Sequence, residues 1–162
     1  MGQGAGRFDL RDRQAGVLYS AETPEHAIAE QVQHFRGHTL EEGDLTVAGR
    51  RLALVSMALP SDVREGVADL CDPTVLVRLR VRPDETASRH RATTQRIAAS
   101  VHARGHAGLR WWSAFFGDWH AVVLFRDRVS GPLACSAPEP LSLRHDGLRE
   151  AARQLGVVLA RA

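Results

Sequence analysis

The sequence predicts a single α+β domain, and three observations predict it. The chain has 162 residues, a length that suits one domain and is enough to bury a real core. Short apolar stretches that read as strands are interspersed with helices carrying recognisable caps. Between them lies much irregular chain, which favours α+β over a doubly wound sheet. The composition, 44% hydrophobic and 25% charged, is that of an ordinary globular protein.

In chain order, Val17-Leu18-Tyr19-Ser20 reads as a short buried strand after Gly16. A helix follows, with Thr23 as N-cap, Pro24 in the first helical position and Glu25 in the first turn. Its apolar stripe is Ile28, Val32 and Phe35, and Gly37 ends it. Leu52 to Leu59 is an almost continuous apolar run before Pro60 and reads as a buried strand. Ser61 or Asp62 then caps a short helix reaching about Leu70. Val75 to Val81 passes from an apolar run into strict alternation, the pattern of a strand or extended edge. Thr93 or Thr94 opens a helix carrying Ile97, Ala98 and Val101, with His102 and Arg104 in its last turn and Gly105 closing it. Strands are expected at Leu109–Trp112 and Ala121–Phe125. A Pro-rich stretch from Gly131 to Pro140 leads to a final helix capped by Asp146, with Leu148, Ala152 and Leu155 on one face. The leader Gly2-Gln3-Gly4-Ala5-Gly6 contains GxGxG but follows no strand, so it reads as flexible chain and not as a dinucleotide fingerprint.

All 21 basic residues are Arg, and the chain has neither Lys nor Asn. That excludes a Schiff-base lysine, a P-loop lysine and a lysine general base. No apolar run approaches the roughly 20 residues of a membrane helix, no signal-peptide core is visible, and Gly6 breaks the myristoylation pattern that Gly2 begins. Cys71 and Cys135 are isolated, forming neither a disulfide framework nor a zinc motif. Cytoplasmic residence is the expectation. The net charge of +2 is uneven: residues 1–80 sum to −3 and residues 81–162 to +5. Six arginines fall between Arg78 and Arg96, either an anion-binding surface or a solvated face. Two pairs among the eight histidines, His34 with His38 and His102 with His106, have a spacing of four but are interrupted by glycine. With no HExxH, no metal site is expected.

Several polar residues keep unusual company. Arg7 stands in Gly6-Arg7-Phe8-Asp9, just before the first strand. Tyr19, the only Tyr of the chain, lies in that strand. Glu30 follows on the next helix, about 160° around from the apolar stripe. Ser113 ends Gly108-Leu109-Arg110-Trp111-Trp112-Ser113. Taken singly, they read as a surface cation, a core aromatic, a solvated helix residue and a turn former.

Taken together they resemble the RES domain. Gly6-Arg7-Phe8-Asp9, Gly16 to Pro24 and Ala27-Ile28-Ala29-Glu30 look like its opening half. Gly108 to Ser113, followed by Ala121 to Phe125, look like its closing half, with Trp111-Trp112-Ser113 in place of a more usual aromatic-Pro-Ser. The family's Arg, Glu and Ser fall on Arg7, Glu30 and Ser113, and its active-site Tyr falls on Tyr19. The likeness spans about residues 5–128, read as an NAD-binding domain, with residues 129–162 as a Pro-rich segment and helix packing on it.

The resemblance implies a mixed β-sheet core with flanking helices, related in fold to ADP-ribosyltransferases. It also implies a toxin of a bacterial toxin–antitoxin module that breaks the nicotinamide–ribose bond of NAD⁺, with a helix-turn-helix antitoxin as partner and the only link to nucleic acid. Glu30 would stabilise the oxocarbenium-like ribose. Arg7 would grip the pyrophosphate bidentately, with Arg11, Arg13 and Arg110 as further arginines at hand. Tyr19 would stack on nicotinamide or ribose, and Ser113 would bond the carboxamide or orient Glu30. Nicotinamide leaves readily, so the reaction needs neither a lysine nor a metal. Two rivals stay open: an ADP-ribosyltransferase acting on a cellular protein, and a degenerate module binding nucleic acid or another polyanion through Arg78–Arg96.

Overall fold

Two helix starts in this chain pair a small polar cap with a following proline. In a computed structural model that describes residues 5–10, 15–113 and 116–161, the helices are α1 (Pro24–Val32), α2 (Ser61–Glu65), α3 (Pro73–Leu79), α4 (Pro83–Thr86), α5 (Arg91–Ala103) and α6 (Asp146–Leu155). Arg11, Arg13 and most of the Gly-rich leader lie outside the described residues. Thr23 caps α1 by accepting from the His26 N–H at 3.2 Å, with Pro24 behind it. Asp72 caps α3 in the same way, accepting from the Thr74 N–H at 2.8 Å, with Pro73 following.

The chain divides into two compact units, residues 1–20 with 59–133 and residues 21–58 with 134–162. The first is built on a four-stranded sheet of Val17–Ala21, His120–Phe125, Gly108–Trp112 and Val67–Asp69, in that spatial order. Gly108–Trp112 pairs antiparallel with His120–Phe125, placing Arg110 opposite Val122, and parallel with Val67–Asp69, placing Arg110 opposite Asp69. The sheet is therefore mixed. Every residue from Ala121 to Phe125 is buried, as in a strand covered on both faces. Phe8, Leu109, Val123, Phe125, Ile97 and Leu76 are among the residues of one continuous apolar core. Gly108 is required there: a Cβ at this position would collide with the carbonyl of Val123 across the ladder.

The second unit rests on α1 against α6. Ile28, Ala29 and Val32 of α1 and Leu148, Ala151, Ala152 and Leu155 of α6 are buried. The close approach is visible at Gly147, where a Cβ would lie 3.2 Å from the Ile28 side chain. Two-residue ladders complete the unit: Thr39–Leu40 parallel to Val158–Leu159, Ala53–Leu54 antiparallel to Glu139–Pro140, Met57–Ala58 to Ala134–Cys135, and Thr46–Val47 to Arg50–Arg51.

The α+β class and the mixed sheet agree with the sequence reading, and four local expectations are corrected. Val75–Val81 is not a strand. Its core is α3, because the Asp72-Pro73 start imposes a helix whose Leu76 and Leu79 face the core while Val77 is 78% exposed. The run Leu52–Leu59 is not a buried strand but two short ladders with Val55 exposed. The helix after Pro60 stops at Glu65, and Val67–Asp69 joins the sheet. The fourth correction concerns Val17–Ala21, which is a strand but shows Leu18 and Tyr19 to solvent. Smaller shifts affect helix starts: α5 begins at Arg91 and not at Thr93, and the cap of α6 is His145, one residue before Asp146.

Candidate functional site

Burying a polar side chain is costly unless its hydrogen bonds are replaced, so buried polar residues mark where a fold fixes something. Among the described residues these are Asp9, His26, Thr86, Thr94 and Gln95. One of them, Asp9, belongs to Gly6–Asp9, the segment that carries Arg7, and three others, Thr86, Thr94 and Gln95, surround it. Gln95 of α5 donates through Nε2 to the Gly6 carbonyl at 3.0 Å, and the Thr94 hydroxyl donates to the Arg7 carbonyl. Arg7 in turn donates through Nη2 to the carbonyls of Thr86 at 2.8 Å and Ser88 at 3.2 Å. Its guanidinium carbon lies 5.4 Å from the centre of the Phe8 ring, within range of a cation–π contact. Arg7 is therefore a held, half-buried cation and not a loose surface one.

Asp9 closes the segment on itself. Its Oδ2 accepts from the Gly6 N–H at 2.9 Å and its Oδ1 accepts from the Tyr19 hydroxyl at 2.9 Å. The same hydroxyl accepts from the Phe8 N–H at 2.9 Å. Desolvation by burial, reinforced by the Asp9 carboxylate, pushes the Tyr19 phenol well above its ordinary value despite the Phe8 N–H. Tyr19 therefore stays protonated and serves as an anchored ring. The ring meets Trp111 edge-on at 6.3 Å between centres, yet the residue is 42% exposed. A Cβ on Gly6 would strike both the Tyr19 hydroxyl and the Asp9 carboxylate, so this crowding requires glycine.

The structure thus joins Arg7 and Tyr19 through Phe8 and Asp9. Arg110 stands in the same unit, on the central strand, with Nη1 bound to both Asp69 oxygens at 3.1 and 2.9 Å. Burial raises the Asp69 carboxyl, but the Cys71 N–H and Arg110 outweigh it and hold the carboxyl below its ordinary value. Ser113 follows that strand at the mouth of the connection to His120–Phe125, its N–H donating to the Trp119 carbonyl at 2.7 Å.

Glu30 belongs to the second unit. It lies on α1, and its side chain is 46% exposed, in keeping with its position off the apolar stripe. Its Oε1 is 3.3 Å from Nε2 of His26, which is fully buried, and its Oε2 accepts from Gln33 Nε2 at 3.4 Å. Sequence reading passed over Asp9 and His26. The first is two residues from Arg7, and the second is one helical turn before Glu30. Spacing of four on a capped helix was the available signal for His26.

Among the described residues, no group of three or more His, Cys, Asp or Glu side chains is placed to hold a metal ion, and no helix is long and apolar enough to cross a membrane. Compared with known proteins, residues 1–146 match the family model described as RES domain. No curated protein and no solved structure matches the chain.

Proposed function

The chain belongs to the RES-domain family, and on that premise we propose that it is the toxin of a toxin–antitoxin module that consumes NAD⁺ by cleaving its nicotinamide–ribose bond. One observation carries the reading: the family match covers residues 1–146, the stretch that holds Arg7, Tyr19, Glu30, Arg110 and Ser113. The concentration of buried polar side chains on Gly6–Asp9 and behind Glu30 supports it.

In this proposal the C–N bond between ribose and nicotinamide breaks with its electron pair going to nicotinamide, which leaves neutral. The ribose carbon becomes oxocarbenium-like and takes an oxygen from water or inorganic phosphate, which loses a proton. Glu30 stabilises the developing positive charge, an interaction that counts for rate because it grows in the transition state. Tyr19, anchored by its hydroxyl, offers its exposed ring as a stacking platform for nicotinamide or ribose. Arg7 grips the pyrophosphate. Arg110 is the weaker candidate for that task, since Asp69 already balances its charge. Ser113 holds the carboxamide. The partner is a helix-turn-helix antitoxin, and the compartment is the cytoplasm.

The test is nicotinamide release from NAD⁺ by the purified protein, with and without phosphate, beside Glu30→Ala. The expected result is a rate lowered at least about a hundredfold in the variant, equivalent to about 2.7 kcal/mol. Equal release by both proteins, or none from the wild type with either acceptor, overturns the proposal. Transfer of ADP-ribose to one protein of a cell extract, with no free product, would instead assign a transferase.

A further inference from the structure

We infer that His26 is a positioning residue for Glu30, fixing its carboxylate from the buried side of α1. This rests on the reading that Glu30 acts in NAD⁺ cleavage. His26 is fully buried on a helix whose other buried positions, Ile28, Ala29 and Val32, are apolar. An apolar residue at position 26 would fill that space without the desolvation cost of an imidazole, so the histidine calls for a reason beyond packing.

The geometry supplies one. An ionised carboxylate only accepts hydrogen bonds, so the contact of 3.3 Å from Nε2 to Glu30 Oε1 requires the hydrogen on Nε2. The other oxygen, Oε2, takes a bond from Gln33, whose amide also donates to the Glu30 carbonyl at 3.0 Å. Each carboxylate oxygen is thus held by a residue of the same helical segment, one from the turn before and one from the turn after. Glu30 is half exposed; left alone, a side chain of this length would sample several rotamers. The two bonds confine it to one, and small displacements of a catalytic group are costly in rate.

The experiment combines kinetics with a spectroscopic readout. His26→Phe should lower kcat for nicotinamide release about tenfold and leave KM within about twofold, whereas His26→Gln, which keeps a donor, should recover most of the rate. In nitrogen-edited NMR of the wild type, the His26 ring should carry a slowly exchanging Nε2 hydrogen that is lost in Glu30→Ala. Wild-type kcat in a folded His26→Phe protein, beside an impaired Glu30→Ala, overturns the inference alone. So does a ring that carries its hydrogen on Nδ1 alone, with none on Nε2. Full activity in Glu30→Ala overturns the proposed role of Glu30 and the positioning role with it.

Discussion

The two units of this chain are built by different means. The first is organised by a sheet in which every residue of Ala121–Phe125 is buried, with Phe8, Leu109 and Phe125 fully out of contact with water. The second is organised by one pair of helices, and its strands are two-residue ladders in which Val47 and Val158 stay exposed, as does Val55 between two of them. The candidate residues follow the same division. Arg7 is held by long-range hydrogen bonds to the Thr86 and Ser88 carbonyls and Tyr19 by hydrogen bonds to the Phe8–Asp9 segment before its strand, while Glu30 is held by neighbours on its own helix. A side chain can therefore be fixed by tertiary assembly or by local helical geometry, and the two should respond differently to damage.

The largest expected effect tests the sheet. Phe125→Ala removes a fully buried ring from the core of the first unit and should cost about 3–5 kcal/mol of unfolding free energy in urea. A loss below about 1 kcal/mol would mean that the sheet core does not organise this unit. Thr23→Ala removes the cap of α1 and should cost about 1 kcal/mol, measurable in the same titration.

A smaller effect concerns the Asp69–Arg110 pair, whose carboxylate is partly exposed. The folded state holds Asp69 below its ordinary value. Its contribution to stability is therefore present above the unfolded value of about 4 and is lost as pH falls through the lower folded value. Asp69→Asn should remove that acid-dependent part of the stability profile, and an unchanged slope below about pH 4 would count against the pair. The least effect is expected at Val55→Ser, within about 0.5 kcal/mol, because the side chain is already 45% exposed.

Strands flanked by turns and helices with short-range caps were legible in the sequence. Ala121–Phe125 could be read because it is an apolar run buried throughout, Leu109–Trp112 because large apolar residues flank a single arginine, and α1 because Thr23-Pro24 marks its start without reference to anything distant. Val67–Asp69 could not be read, since it is a strand only by virtue of pairing with Gly108–Arg110 some forty residues away. Val75–Val81 misled because its alternation outweighed the Asp72-Pro73 signal just before it. Leu52–Leu59 misled because an apolar run says nothing of what will cover it.

The candidate residues divide in the same manner. Tyr19, Glu30 and Arg7 could be named from their neighbours in sequence. The carbonyls that hold Arg7 come from Thr86 and Ser88, and the carboxylate that neutralises Arg110 comes from Asp69, so neither could be read locally. His26 lay within reach but looked like one more residue of an amphipathic helix.

The crowding of Gly6, Asp9 and Tyr19 has a consequence for descent. A Cβ at position 6 has no room while both oxygen groups are present, and the phenol loses its acceptor if Asp9 becomes apolar. Replacing Gly6 alone creates a clash, and replacing Tyr19 by Phe takes this acceptor from the Phe8 N–H, whereas Asn at position 9 still offers the phenol an oxygen. The three positions therefore do not tolerate change equally: what fits at position 6 depends on what positions 9 and 19 carry, while position 9 serves the phenol as long as it keeps an acceptor.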